Sequence, residues 1–178
     1  MMTLNLRLND SDILGGAPAY IDTVSRYASR GVLVDHTGQV AMMYMAELDL
    51  YKLPGGGIEE GESPEEAFLR EIIEETGYEA EVVRELGVVE EHKNRNRFLQ
   101  YSYCYLAKAQ RSTEQTSLTE AEEQLGMSVQ WMTIGQAIEV MEKDANSSAD
   151  DYGNLFMLMR DRMILKEAAE LLEKMDLF

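Results

Sequence analysis

Residues Gly56–Tyr78 read GGIEEGESPEEAFLREIIEETGY. The chain enters this segment through Leu53-Pro54-Gly55-Gly56-Gly57, a tract that suits neither a helix nor the interior of a regular strand. A helix start follows. Ser63 is a good N-cap, Pro64 suits the first helical position, and Glu66 completes a capping-box pattern. The helix is expected to run to about Thr76, where Gly77 supplies a C-terminal stop. Within it, Glu71, Glu74 and Glu75 stand at i, i+3 and i+4, spacings that place three carboxylates on one face. Leu69, Ile72 and Ile73 fall on the other side, where they are expected to bury. Clustered carboxylates repel one another, and a cation would remove that cost. Hard oxygen donors suit Mg²⁺, Mn²⁺ or Ca²⁺ rather than zinc. A merely solvated acidic face is the competing account, and the spacing by itself leaves both open.

The same residues fall in a recognisable order: Gly56, five residues, Glu62, seven residues, Arg70-Glu71-Ile72, one residue, Glu74-Glu75, one residue, Gly77-Tyr78. This resembles the Nudix box, G-x5-E-x7-R-E-U-x-E-E-x-G-U, where U is bulky and apolar. Tyr78 stands where an aliphatic residue is more usual. The resemblance implies an α/β (α+β) fold, an α/β/α sandwich with a mixed sheet in which the box forms loop–helix–loop. It further implies Mg²⁺-dependent hydrolysis, with Mn²⁺ as a substitute, of a diphosphate bond in a small nucleoside di- or triphosphate derivative. On the same ground Gly56 (through its carbonyl), Glu71, Glu74 and Glu75 would hold the metal. The catalytic set would be Glu71, Arg70, Glu62 and Glu74, with Arg70 and Glu62 orienting the cluster. The general base stays open between Glu71, Glu62 and a glutamate of a later loop, Glu120, Glu122 or Glu123.

Outward from this segment, residues 1–25 read as a polar lead-in containing Gly15, Gly16 and Pro18. Strands are expected over Ser25 to Asp35 and Val40 to Met45, joined by a turn at Asp35 to Gly38. Two more follow at Ala80 to Glu91 and Phe98 to Ala107; the second alternates Tyr101, Tyr103 and Tyr105 with Ser102, Cys104 and Leu106, as period-2 packing requires. A short strand is expected at Met127 to Met132, a helix at Ile134 to Lys143, and an acidic connector at Asp144 to Tyr152. A long amphipathic helix closes the chain from Leu155 to about Met175. Strands and helices mixed in this way argue for a layered architecture around one core, so 1–178 is expected to form a single domain.

The chain has 178 residues and a formal net charge of −17. Such a charge disfavours nucleic-acid polymers and anionic membranes as partners, and repels a phosphate-bearing substrate unless a cation intervenes. The single cysteine, Cys104, allows no internal disulfide. Neither a signal peptide nor a membrane span is visible, so a cytoplasmic location is expected; monomer and homodimer both stay open. Lys93, Arg95 and Arg97 form a local basic cluster. Arg95 and Arg97, together with Lys52, are the candidate contacts to substrate phosphates. His36 and His92 show no metal-ligand spacing and are expected at the surface, whereas Met42, Met43 and Met45 read as core. Two other functions compete. A non-catalytic nucleotide-sensing module has little need of a complete Arg70-Glu71 and Glu74-Glu75 set. A prenyl-diphosphate isomerase needs a reactive cysteine, and Cys104 on a strand is a poor candidate.

Overall fold

The structure, a computed structural model, describes residues 4–175; residues 1–3 of the expected lead-in and 176–178 at the other end lie outside it. In chain order the elements are β1 (Leu4–Asn9), α1 (Asp10–Leu14), β2 (Arg26–Val34), β3 (Val40–Met45), β4 (Leu50–Lys52), β5 (Gly55–Gly57) and α2 (Pro64–Thr76). Then come β6 (Tyr78–Lys93), β7 (Phe98–Ser112), α3 (Glu120–Gln124), β8 (Met127–Met132), α4 (Ile134–Ser147) and α5 (Tyr152–Met175). The strands form one mixed sheet in the order β1-β6-β7-β2-β3-β4, with β5 also paired to β2 and β8 to β3. β1 with β6 and β2 with β7 are the parallel pairs.

Alternation along the central strands divides their side chains between two cores. Val32, Val34, Val40, Met42, Cys104 and Leu106 face a cluster capped by Phe156, Leu158, Ile164, Leu165 and Ala168 of α5 and by Ala137 and Met141 of α4. Leu33, Ala41, Tyr105 and Ala107 face the opposite way, onto Phe68 and Ile72 of α2. Helices therefore cover both faces of the sheet, and the fold is an α/β/α sandwich. No helix among the described residues is long and apolar enough to cross a membrane.

The lead-in is more structured than its polarity suggests. Leu4 and Leu8 are buried, and β1 runs parallel to β6 from Leu4 opposite Gly87 to Asn9 opposite His92. The glycine tract also pairs. Gly55 to Gly57 lie antiparallel to Ala28 to Arg30, so closely that a Cβ on Gly55 would sit 2.4 Å from the Cβ of Arg30. Only glycine tolerates that approach, and the tract can be a strand because it has no side chains. α4 runs to Ser147, past the expected end, because Asp144 is buried and accepts a hydrogen bond from the Tyr51 amide at 3.1 Å. An acid taken for the start of a solvated connector thus belongs to the helix.

Candidate functional site

α2 begins and ends where its caps place it. Ser63 and Glu66 exchange hydrogen bonds, and Gly77 takes the left-handed conformation at φ 74°. The helix presents Arg70 to its carboxylates. Nη1 of Arg70 donates to Glu71 Oε1 at 3.0 Å and to Glu74 Oε2 at 3.1 Å. Nη2 donates to Glu62 Oε2 at 3.1 Å and to the Gly57 carbonyl at 3.0 Å, and Nε donates to Glu62 Oε1. One guanidinium thus joins the start of the loop, the loop's acid and two helix acids. The Glu62 hydrogen bond is the main reason the Arg70 pKa lies above its ordinary value, and the same bond holds Glu62 below the usual carboxylate range. Glu62 is therefore well suited to orienting Arg70 and poorly suited to taking up a proton.

Glu75 differs from its neighbours. It was expected on the open face with Glu71 and Glu74, yet it is only 1% exposed. The helix turns its side chain in behind the glycine tract, where Oε1 lies 3.4 Å from the Gly55 amide and 3.5 Å from Lys52 Nζ. Burial pushes its pKa up to about 7 against the opposing pull of Lys52. Glu74, partly exposed, is raised by burial as well. Ile73, expected to bury, is 39% exposed, while Ile72 is fully buried. The inward turn of Glu75 and the outward turn of Ile73 are one rotation of the helix about its axis.

Next to these residues opens a cleft of about 620 Å³. Gly55, Gly56, Gly57, Glu71, Glu74 and Arg70 line one side. Lys52 lines it too, together with Arg26 and Arg30 from β2, Lys93 from β6 and Arg160 from α5. Of the later-loop glutamates, Glu122 reaches the cleft, whereas Glu120 and Glu123 do not line it. Glu122 is held there by the capping box of α3, in which its carboxylate accepts from the Thr119 amide at 2.9 Å.

Arg95 and Arg97 are exposed and do not line the cleft. The Arg95 guanidinium lies 4.6 Å from the centre of the Tyr152 ring, and its amide donates to Asp10. Arg97 caps the 3₁₀ turn Asn94–Asn96 in a left-handed conformation. Only Lys93 of that basic cluster faces the cleft. His92 corrects a further expectation: it is 1% exposed, accepts from the Ile21 amide at 2.9 Å and lies 2.6 Å from Glu90 Oε2. His36 is exposed, as expected. Sequence reading missed Arg26, Arg30 and Arg160. Arg30 carried the one usable sign, a charge in the interior of a strand, directly before the apolar run Val32-Leu33-Val34.

Three features bear on whether a divalent cation fits. The buried Oε2 of Glu75 has no hydrogen-bond partner. A Cβ at Gly56 would lie 2.4 Å from Glu71 Oε1, so glycine alone lets that carboxylate sit against the backbone. The donors are hard oxygens, the type that Mg²⁺ prefers. The donor set therefore fits. Among the described residues no three acidic, histidine or cysteine side chains already converge as ligands; Arg70 draws Glu71 and Glu74 to itself and offsets part of their charge.

The site is thus a carboxylate-rich helix beside a cation-lined cleft in an α/β/α sandwich. The family follows from comparison. A model described as the NUDIX domain matches residues 25–153, and the chain belongs to that family, whose hydrolases generally use a divalent metal. A putative 8-oxo-dGTP diphosphatase of Bacillus subtilis is 39% identical over 62 residues, 35% of this chain and 42% of the relative. Diphosphoinositol polyphosphate phosphohydrolase 3-alpha of Mus musculus is 32% identical over 94 residues, 53% of this chain and 54% of the relative. The chain spans about half the length of these curated relatives. A solved NUDIX hydrolase from Nitrosomonas europaea matches with a TM-score of 0.55 at 16% identity, over 70% of this chain and 90% of that one, a likeness of fold.

Proposed function

We propose that the chain is a Mg²⁺-dependent hydrolase of a diphosphate bond in a small nucleoside di- or triphosphate derivative. The observation that carries this reading is the arrangement around Arg70. It gathers Glu62, Glu71 and Glu74 beside a cleft lined by further cations. A repelling acidic face has no use for such a cleft, and a diphosphate has use for both. Glu71, Glu74, Glu75 and the Gly56 carbonyl would hold the metal. Bound there, the cation would polarise a phosphoryl oxygen and lower the pKa of water. Lys52, whose ammonium stands between Glu75 and the Gly55 carbonyl, meets a substrate phosphate. Arg70 fixes the carboxylates, and Glu62 fixes Arg70.

The proton of the attacking water goes to Glu71. Arg70 engages both oxygens of Glu62 but only Oε1 of Glu71, and Glu120 and Glu123 lie off the cleft, which leaves Glu122 as the rival base. A general base contributes about 10²–10⁴-fold in rate. Glu71→Gln is therefore expected to lose at least about 10²-fold in kcat, and Glu122→Gln far less. The reverse order moves the role to Glu122. The whole reading is tested by adding Mg²⁺ and a panel of nucleoside triphosphates, nucleotide sugars and dinucleotides and separating the monophosphate products by anion-exchange chromatography. Saturable binding without cleavage in every case favours a sensing module instead.

A further inference from the structure

Six of the 16 Lys and Arg residues line the cleft, whereas among the described residues only four Asp and Glu do so. Those six are Arg26, Arg30, Lys52, Arg70, Lys93 and Arg160, and the four acids are Glu59, Glu71, Glu74 and Glu122. In a molecule of net charge −17, this concentration of cations calls for a reason. Lys52 and Arg70 have one, since both pair with acids of the helix segment. The other four lie on the α5 side and touch none of those acids.

Arg30 stands out among them. It is 4% exposed and lines the cleft. Its Nε donates to the neutral Ser102 hydroxyl at 3.1 Å, and no carboxylate among the described residues lies within ion-pair distance of it. Arg160 beside it is also buried, but it pairs with Glu91 at 3.1 Å and with Asp161 at 2.7 Å. Glu91 already serves Gln100 at 2.9 Å and lies 3.9 Å from Lys93, and Asp161 accepts from the Leu53 amide at 2.8 Å. Arg160 and Lys93 thus take up the two carboxylates, and Arg30 adds a third positive charge at the base of the cleft that neither carboxylate pairs with directly. A buried guanidinium that no carboxylate touches is costly, even with Asp161 and Glu91 near enough to ease its charge. Burial and the nearby Arg160 bring the Arg30 pKa down to about 10, which still leaves it charged at neutral pH. Arg26, on the same face of β2, donates to the neutral Gln100 side chain at 3.2 Å. The two arginines stand four residues apart along the strand, roughly 13 Å at the backbone, a separation that suits a ligand with spread charge.

We infer that the α5 side of the cleft is a second phosphate-binding subsite, with Arg30 at its base and Arg26, Lys93 and Arg160 around it. The substrate accordingly carries at least one phosphate besides the scissile diphosphate. That second statement rests on the hydrolase reading, whereas the subsite itself does not. Arg160 lies beyond residues 25–153, the span matched by the family model, so this specificity is built partly from outside that span.

Two measurements test the inference. In EDTA, and at ionic strength matched with KCl, inorganic tripolyphosphate is titrated into the full chain by calorimetry. Saturable binding is expected, with Kd raised at least tenfold in Arg30→Met. Methionine replaces an unpaired buried charge by an apolar chain, so the variant is expected to melt no lower than wild type, and Arg30→Lys, which keeps the charge, provides a second check. No saturable binding by wild type, or equal binding by Arg30→Met, overturns the subsite. In Mg²⁺, kcat/KM is then compared within matched pairs: coenzyme A with its dephospho form, and NADP with NAD. The member with the extra phosphate is expected to be preferred at least tenfold, and Arg30→Met to erase the preference. Equal rates within a pair that is turned over overturn the substrate class. Absence of hydrolysis both of these four and of the wider nucleotide panel removes the proposed activity, while the titration still decides the subsite.

Discussion

Glu75 carries its cost in its surroundings. In the unfolded chain its carboxyl has an ordinary pKa, and in the fold burial raises it to about 7. The folded state therefore binds the proton more tightly than the unfolded state. Its contribution is fully present below the unfolded value and is lost as pH rises through about 7. Metal-free protein is expected to lose melting temperature between pH 5 and pH 8. Much of that loss should vanish in Glu75→Gln, because glutamine has no charge to strand. Scanning calorimetry of both proteins in EDTA separates this effect from the general self-repulsion of the acidic surface, which both share. Parallel pH profiles would remove Glu75 as the cause. Mg²⁺ is expected to raise the wild-type melt at pH 8 and to leave the variant nearly unmoved, since a ligand stabilises only the state that binds it. Arg70 is the complementary case. Lysine keeps its charge but has no fork with which to hold Glu62, Glu71, Glu74 and the Gly57 carbonyl together. Arg70→Lys is expected to lower kcat by about 10²-fold, the scale of a small misplacement, with little change in melting. A near-normal kcat would show that charge alone suffices.

Among the elements, α2 was legible because its information is local. Ser63, Pro64, Glu66 and Gly77 each act within one turn, and all agree with the 3.6-residue pattern between them. The acids of the segment were legible as a set for the same reason, but not their rotation, which Phe68 and Ile72 decide by packing on Leu33 and Tyr105. β1 carried a period-2 signal in Leu4, Leu6 and Leu8, and neighbouring asparagines and the later glycines obscured it. β6 and β7 proved longer than expected, and register shifts at Glu79/Ala80, Val82/Arg84 and Glu85/Gly87 interrupt the alternation by which a strand is read. Two glycines test how tightly the elements fit. A Cβ on Gly31 would lie 2.0 Å from the Tyr105 carbonyl oxygen, inside the parallel β2–β7 pair. Neither backbone can yield, so Gly31→Ala is expected to cost at least about 1–3 kcal/mol, read from urea unfolding. At Gly56 the obstacle is the Glu71 carboxylate, a side chain that can move. Gly56→Ala is expected to fold normally and to lose activity and Mg²⁺ affinity together. Wild-type kcat in that variant would argue against Glu71 and Gly56 sharing a metal.

At the scale of the whole molecule, the cleft's charge was invisible in the sequence because no one segment contains it. Arg26 and Arg30 come from β2, Lys93 from β6 and Arg160 from α5, and only the fold brings residues so distant in the chain together. A net charge of −17 pointed to an intervening metal and gave no hint of a basic cavity. The same dependence on distant parts bears on where the cooperative unit ends. The family model stops at residue 153, but α5 continues to Met175 and places Phe156, Leu158, Ile164, Leu165 and Ala168 in the core, all 0% exposed. Burying a large apolar side chain is worth about 1.5–3 kcal/mol. The four largest of these together contribute on the order of 6–12 kcal/mol, comparable with the 5–15 kcal/mol of net stability typical of a whole domain. Removing α5 also takes Arg160 from the buried Glu91 and leaves that carboxylate without its closest cation. A chain ending at Asp151 is therefore expected to show no cooperative melt by circular dichroism and to bind a hydrophobic dye, the signature of secondary structure without fixed packing. The full chain is expected to melt in a single transition. The milder variant Leu158→Ala, which keeps the helix and removes one core side chain, should lose about 2–5 kcal/mol while retaining that single transition. A chain ending at Asp151 that still unfolds cooperatively near the full-length temperature would show that α5 is an appendage, and that the cleft's Arg160 is carried by a segment the rest of the fold can do without.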